Sequence, residues 1–221
     1  MKRVNKEEVF GIMGKYYGNA HYRYCSDAEE HDLLLTVDLL DEINALGYCF
    51  SNDQQIVETC DRRFPDILKK YIGRFDDQRF SRQLISAFAH REYAEHVPYL
   101  LDLYARYCDN REIRFDISDS VLRIKSKVYA KEYVNIITEP GYERYPDLFY
   151  NLCCVLKLKA ALPALIELVQ INEEGFKWFF VENIWRFHDE SLIEYIEPYL
   201  DDPDGELRSL AKKAVKKMSG A

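Results

Sequence analysis

The chain has 221 residues, 48% of them apolar and 31% charged, enough to bury a core and solvate a surface, which excludes a disordered or low-complexity chain. Its net charge of −8 argues against an unaided binder of nucleic acid or anionic membrane, which would carry a basic excess. No run of about 18 apolar residues occurs, so no segment is expected to span a bilayer.

The N-terminal stretch MKRVNKEEVFGIMGKYY carries charges but no apolar core of signal-peptide length, so a cytoplasmic protein is expected. A first helix is predicted over Asn5–Tyr17, with Asn5 as cap and Glu7 and Glu8 in the first turn. A second is predicted over Asp27–Leu46, with Leu33, Leu34, Val37, Leu40 and Ile43 on one face. The acidity is concentrated here. Asp27, Glu29, Glu30, Asp32, Asp38, Asp41, Glu42, Asp53, Glu58 and Asp61 follow one another with no Lys or Arg between Asp27 and Asp61. Removing that −10 from the total of −8 leaves the rest of the chain at +2. Residues 27–61 are therefore either a solubilising cap or a dock for a basic partner, with Asp27, Glu29, Glu30 and Asp32 as the docking candidates.

Beyond residue 50 the apolar spacing is helical throughout, as in Leu162–Leu165–Ile166–Val169, and no alternating strand pattern appears. Glycines 47, 73, 141, 175 and 205 fall between these stretches, where helix ends and turns are expected. The pattern also repeats. Offsets of +3, +6 and +7 from Arg82 give Ile85, Phe88 and Ala89. From Arg114 they give Ile117, Ser120 and Val121, and from Tyr145 they give Leu148, Asn151 and Leu152. From Lys177 they give Phe180, Asn183 and Ile184, and from Arg208 they give Ala211, Ala214 and Val215. The anchors stand 32, 31, 32 and 31 residues apart. Between them lies a second helix, entered near Pro65, Pro98, Pro163 or Pro198, because proline suits a first helical turn. A helix–turn–helix unit of this length cannot bury its apolar stripe alone, so stacked units are expected.

The closing segment, from Asp202-Pro203-Asp204-Gly205 through Arg208 to Ala214-Val215, resembles the opening of a HEAT repeat. It is similar to the short prokaryotic variety also found in phycobilin lyases, and Asp76-Asp77 and Asp109-Asn110 repeat the turn before Arg82 and Arg114. The resemblance covers about residues 51–218 and implies an all-α, armadillo-like solenoid. It would comprise about five units, a helical cap over residues 1–50, and a ladder from turn Asp to helix Arg linking successive units. Tyr145 and Lys177 stand where the family has Arg, so the ladder is expected to break in mid-chain. Lys212, Lys213, Lys216 and Lys217 close the other end and favour the helix C-terminus.

Chemistry is sparse. Phosphate-loop, dinucleotide, zinc-protease and nucleophile-elbow motifs are absent. Cysteines 25, 49, 60, 108, 153 and 154 lack zinc-ligand pairing, and free thiols are expected. Glu92 and His96 share a helix face, which an ion pair explains as well as half a metal site, so no metal or cofactor is expected. Trp178 and Trp185 lie seven apart, and read as repeat core or as a nucleotide cleft like that of DNA-glycosylase relatives of the fold. The cations Arg123, Lys125, Lys127 and Lys131 read as a solvated face or as a phosphate track.

Seventeen tyrosines favour a binding surface on the second helices, since Tyr contributes contact area at low entropic cost. The candidates off the apolar stripe are Tyr99, Asp102, Arg106, Lys131, Asn135, Glu167, Tyr195 and Tyr199, expected on a concave face. Together these observations point to a monomeric, non-enzymatic protein-binding scaffold, of which an immunity or antitoxin protein against a basic partner is one case. The alternatives are enzymes on the same scaffold, a DNA-repair glycosylase or a chromophore lyase.

Overall fold

The computed structural model describes residues 27–142, 148–171 and 173–220. Every regular element among them is helical. The predicted helix over Asn5–Tyr17 and the anchor Tyr145 lie outside the described residues. No helix among the described residues is long and apolar enough to cross a membrane. The chain divides into two compact units, one ending at Ile124 and one starting at Lys125.

The first unit contains α1 (Asp27–Asn44), α2 (Gln54–Glu58), α3 (Phe64–Leu68), α4 (Gln78–Ser86), α5 (Val97–Arg106) and α6 (Arg111–Ile124). A 3-10 turn, Arg91–His96, leads into α5. Helix α1 is buried over more than one face, with Leu33, Leu35, Val37, Leu39, Leu40 and Ile43 all inside, and it packs on α3. Its Glu42 accepts from Lys70 Nζ at 2.6 Å and from the Tyr71 hydroxyl at 2.8 Å, fixing it to the turn after α3. Helices α2, α4 and α6 pack in succession, and α5 covers α6. The periodic positions explain this stacking. Ile85, Phe88, Ile117, Ser120 and Val121 are all buried, so the +3 and +6 residues of each anchor face the neighbouring helices.

The second unit contains α7 (Ala130–Ile137), α8 (Phe149–Val155), α9 (Leu162–Ile171), α10 (Glu173–Asn183) and α11 (Gly205–Met218). Helix α8 packs on α7 and α10, α9 packs on α10, and α10 packs on α11. Phe180, Asn183, Ile184, Ala211 and Ala214 again bury the anchor offsets. Asp204 caps α11, accepting the Glu206 amide at 2.8 Å, and Asp77 caps α4 through the Arg79 amide at 2.9 Å.

Three expectations are corrected. Gly175 sits inside the first turn of α10 rather than between helices. The last second helix is not α-helical: residues 190–195 and 197–199 form 3-10 turns.

The third correction concerns the anchor cations. Arg114 donates to the Cys108 carbonyl at 3.3 Å and Arg208 donates to the Asp202 carbonyl, each six residues upstream in its own unit. Arg82 reaches forward instead and pairs with Glu112 and Asp116 of α6. Lys177 does not break the link: its Nζ lies 3.9 Å from the Asp202 carboxylate ahead of α11, both side chains largely shielded from solvent.

Candidate functional site

The second-helix surface of the first unit brings together the three candidates assigned to it. Val97, Leu100, Leu103 and Tyr104 turn inward along α5, which leaves Tyr99, Asp102 and Arg106 on the outer side. Asp102 and Arg106 form an ion pair at 3.0 Å, one helical turn apart. Tyr99 is half-buried, its ring stacked on Phe88 at 5.8 Å with Lys69 Nζ 5.3 Å from the ring centroid. Burial pushes the Tyr99 hydroxyl above its ordinary value, and Arg106 opposes that rise.

Lys69 follows α3 and joins this surface to the preceding helix pair. Its Nζ donates to Nδ1 of His96 at 3.0 Å and lies 3.3 Å from Asp66. Burial, with Lys69 nearby, holds the His96 imidazole below its ordinary value, and Glu95 and Asp66 act in the opposite direction. His96 is thus a neutral acceptor for a lysine, not the partner of Glu92 that its helical spacing suggested.

In the second unit Lys131 and Asn135 are exposed on α7, outside the buried Tyr133 and Ile137, and Glu167 is exposed on α9. Tyr195 is half-buried at the end of its 3-10 turn, beside Glu194. Tyr199 is corrected: its side chain is packed in the core of its unit, which a ring in a contact surface would not be.

Asp32 is corrected as well. It is 3% exposed, and its two carboxylate oxygens accept the backbone amides of Asp76 and Asp77 at 2.7 and 2.6 Å. It holds the turn ahead of α4 and is not available to a partner. Asp27, Glu29 and Glu30 lie at the start of α1, and their side chains are outside those described. Other acids of the stretch are engaged too. Asp61 accepts from Tyr48 at 2.7 Å and pairs with Arg63, whose guanidinium holds its carboxyl well below the carboxylate range.

Of the nucleotide-cleft candidates, Trp178 and Trp185 are both half-buried. Trp185 donates from its ring nitrogen to the Glu182 carbonyl at 2.6 Å and carries Lys217 Nζ 3.6 Å above its ring. Arg123 is paired with Asp119 at 2.7 Å. Two groupings of metal-ligating side chains occur among the described residues, His31–Asp32–Asp76 and Cys60–His90–Glu92. In the first, Asp32 is already committed to two amides. No short ligand spacing marks the second, because Cys60 stands about one period of the sequence away from His90 and Glu92. The signal was present in the period itself: Cys60 and Glu92 are separated by 32 residues.

No protein-family model, curated protein or solved structure matches this chain.

Proposed function

We propose that the chain is a non-enzymatic helical-repeat protein of HEAT type that binds another protein through the outer faces of its second helices. The observation that carries this is the α5 surface, where a half-buried Tyr99 is framed by the Asp102–Arg106 pair, Lys69 and His96. An anchored aromatic ring with charges around it is the composition of an interface hot spot and its polar rim. Asp102, Arg106, Lys131, Asn135 and Glu167 provide further exposed polar contact groups. The acidic stretch of residues 27–61 would speed the approach of a basic partner by electrostatic steering. A cytoplasmic immunity or antitoxin protein acting on a basic toxin fits this description.

Affinity capture from native lysate at low and high salt, followed by reconstitution with the purified partner, tests the proposal. A basic protein should bind directly, and Tyr99→Ala with Arg106→Ala should weaken it by at least about tenfold, as loss of hot-spot residues does. Failure to recover any direct protein partner, or equal binding by the double variant, overturns it. Affinity for duplex DNA that falls steeply with salt would overturn it in favour of a nucleic-acid enzyme.

A further inference from the structure

Cys60, His90 and Glu92 belong to consecutive helix pairs and meet because one pair stacks on the next. Cys60 lies in the turn between α2 and α3, while His90 and Glu92 flank Arg91, where the chain leaves α4 for the 3-10 turn. The frame beside them is rigid. Tyr93, 1% exposed, donates its hydroxyl to the Asp61 carbonyl and accepts the Asp61 amide, both at 2.8 Å. Asp61 and Tyr93 are also 32 residues apart, so the same register that makes this link places Cys60 beside Glu92.

On that frame one ligand atom from each of the three side chains lies within 4.8 Å of the other two. Cys60 Sγ is 3.6 Å from Glu92 Oε2. Ligands around a tetrahedral zinc, with bonds of 2.0 to 2.3 Å, stand roughly 3.5 Å apart. The ligand separations therefore need to shorten by about 1.3 Å at most to close on such an ion. The orienting contacts are present as well. Nε2 of His90 lies 3.1 Å from the Val57 carbonyl. A carbonyl can only accept, so Nε2 carries the proton and the lone pair is left on Nδ1 for coordination.

We propose that Cys60, His90 and Glu92 form a zinc-binding site whose fourth position is filled by water. Thiolate, imidazole and carboxylate are all zinc ligands, whereas magnesium and calcium take oxygen ligands and would leave Cys60 and His90 unused. Zinc replaces the thiol proton of Cys60, which leaves to solvent, and the thiolate and carboxylate together balance the charge of the ion. Cys60 and Glu92 are exposed, so the ion has a direct path in, and the open fourth position faces water. The site uses none of the residues of the α5 surface and does not depend on the partner-binding proposal.

The test uses the full chain, reduced and stripped of metal, titrated with Zn2+ in competition with a chromogenic chelator and separately with Co2+. One equivalent should bind, and the cobalt form should show a thiolate charge-transfer band with d–d bands of tetrahedral intensity. Cys60→Ser and Glu92→Gln, both at exposed positions, should each weaken zinc binding at least about tenfold, the scale of loss when metal-site groups are removed. Cys108→Ser, at an exposed thiol elsewhere, should leave it unchanged. His90→Gln also removes the Val57 contact, so its result counts only if its urea midpoint matches the parent. Absence of stoichiometric binding, a cobalt spectrum without the thiolate band, or equal affinity in the Cys60→Ser/Glu92→Gln double variant overturns the site.

Discussion

Asp32 shows how misleading a residue's charge is when taken alone. It sits in the most acidic stretch of the chain, yet its carboxylate is an internal cap for two backbone amides. Asp32→Ala would remove the acceptor of both part-buried amides, and a loss of about 1 to 3 kcal/mol of stability is expected, read from urea unfolding. Asp32→Asn keeps one acceptor oxygen and should cost less. His96 gives a pH prediction with a definite sign. Its folded-state value lies below the ordinary 6.5, because burial and Lys69 oppose its protonation. The unfolded chain therefore takes up the proton first, and stability should fall as pH drops through 6.5. His96→Gln should remove that step. It should leave the further loss below pH 3.8, where Asp61, Asp77 and Asp189, all held below that value when folded, become protonated. Unfolding midpoints measured above and below each pH separate the two.

At the scale of elements, the links between successive helices are charge pairs laid over apolar contact. Arg82 on α4 pairs with Asp116 and Glu112 on α6, while Ile85 and Ile117 are buried beneath. A double-mutant cycle of Arg82→Ala with Asp116→Ala should give a coupling of about 0.5 to 1 kcal/mol, because the pair is only partly shielded from water. Ile117→Ala, by contrast, should cost about 2 to 4 kcal/mol, since it empties a fully buried site. Gly73 is fixed by geometry of a different kind. Its φ is +82°, and an added Cβ would lie 3.0 Å from the Tyr107 hydroxyl. The helices themselves were legible in advance: Pro65, Pro98 and Pro163 open second helices, and most of the anchor offsets are buried. The targets of the anchor cations were not, because a guanidinium or an ammonium on a long stem can reach a carbonyl, a carboxylate or a ring with equal ease.

At the scale of the molecule, charge is local. The stretch 27–61 carries −10 and the remainder +2, yet Asp32, Glu42 and Asp61 spend their charge inside the first unit. A steering role therefore falls to the acids outside these pairs. Neutralising Asp27, Glu29 and Glu30 together should slow association with a basic partner at low salt and leave dissociation unchanged, measured by stopped-flow mixing. A purely solubilising role would instead lower the precipitation threshold without altering the association rate. Of the candidate contact residues, Tyr99, Asp102 and Arg106 share one helix surface, because spacings of three and four residues bring side chains together on any helix. Tyr199 was lost to the core because a tyrosine's burial depends on what packs above it.

The sequence by itself determined the helical class, the period near 31 residues and the inward stripe, because each follows from backbone periodicity and from apolar side chains leaving water. Only the tertiary structure decided which charges are used up internally and which residues meet across one repeat. Asp32 finds its amides 44 and 45 residues away, and Cys60 finds Glu92 at a distance of 32. Such contacts are set by the stacking of one helix pair on the next. No local pattern records the rotamers and turn geometry that complete them.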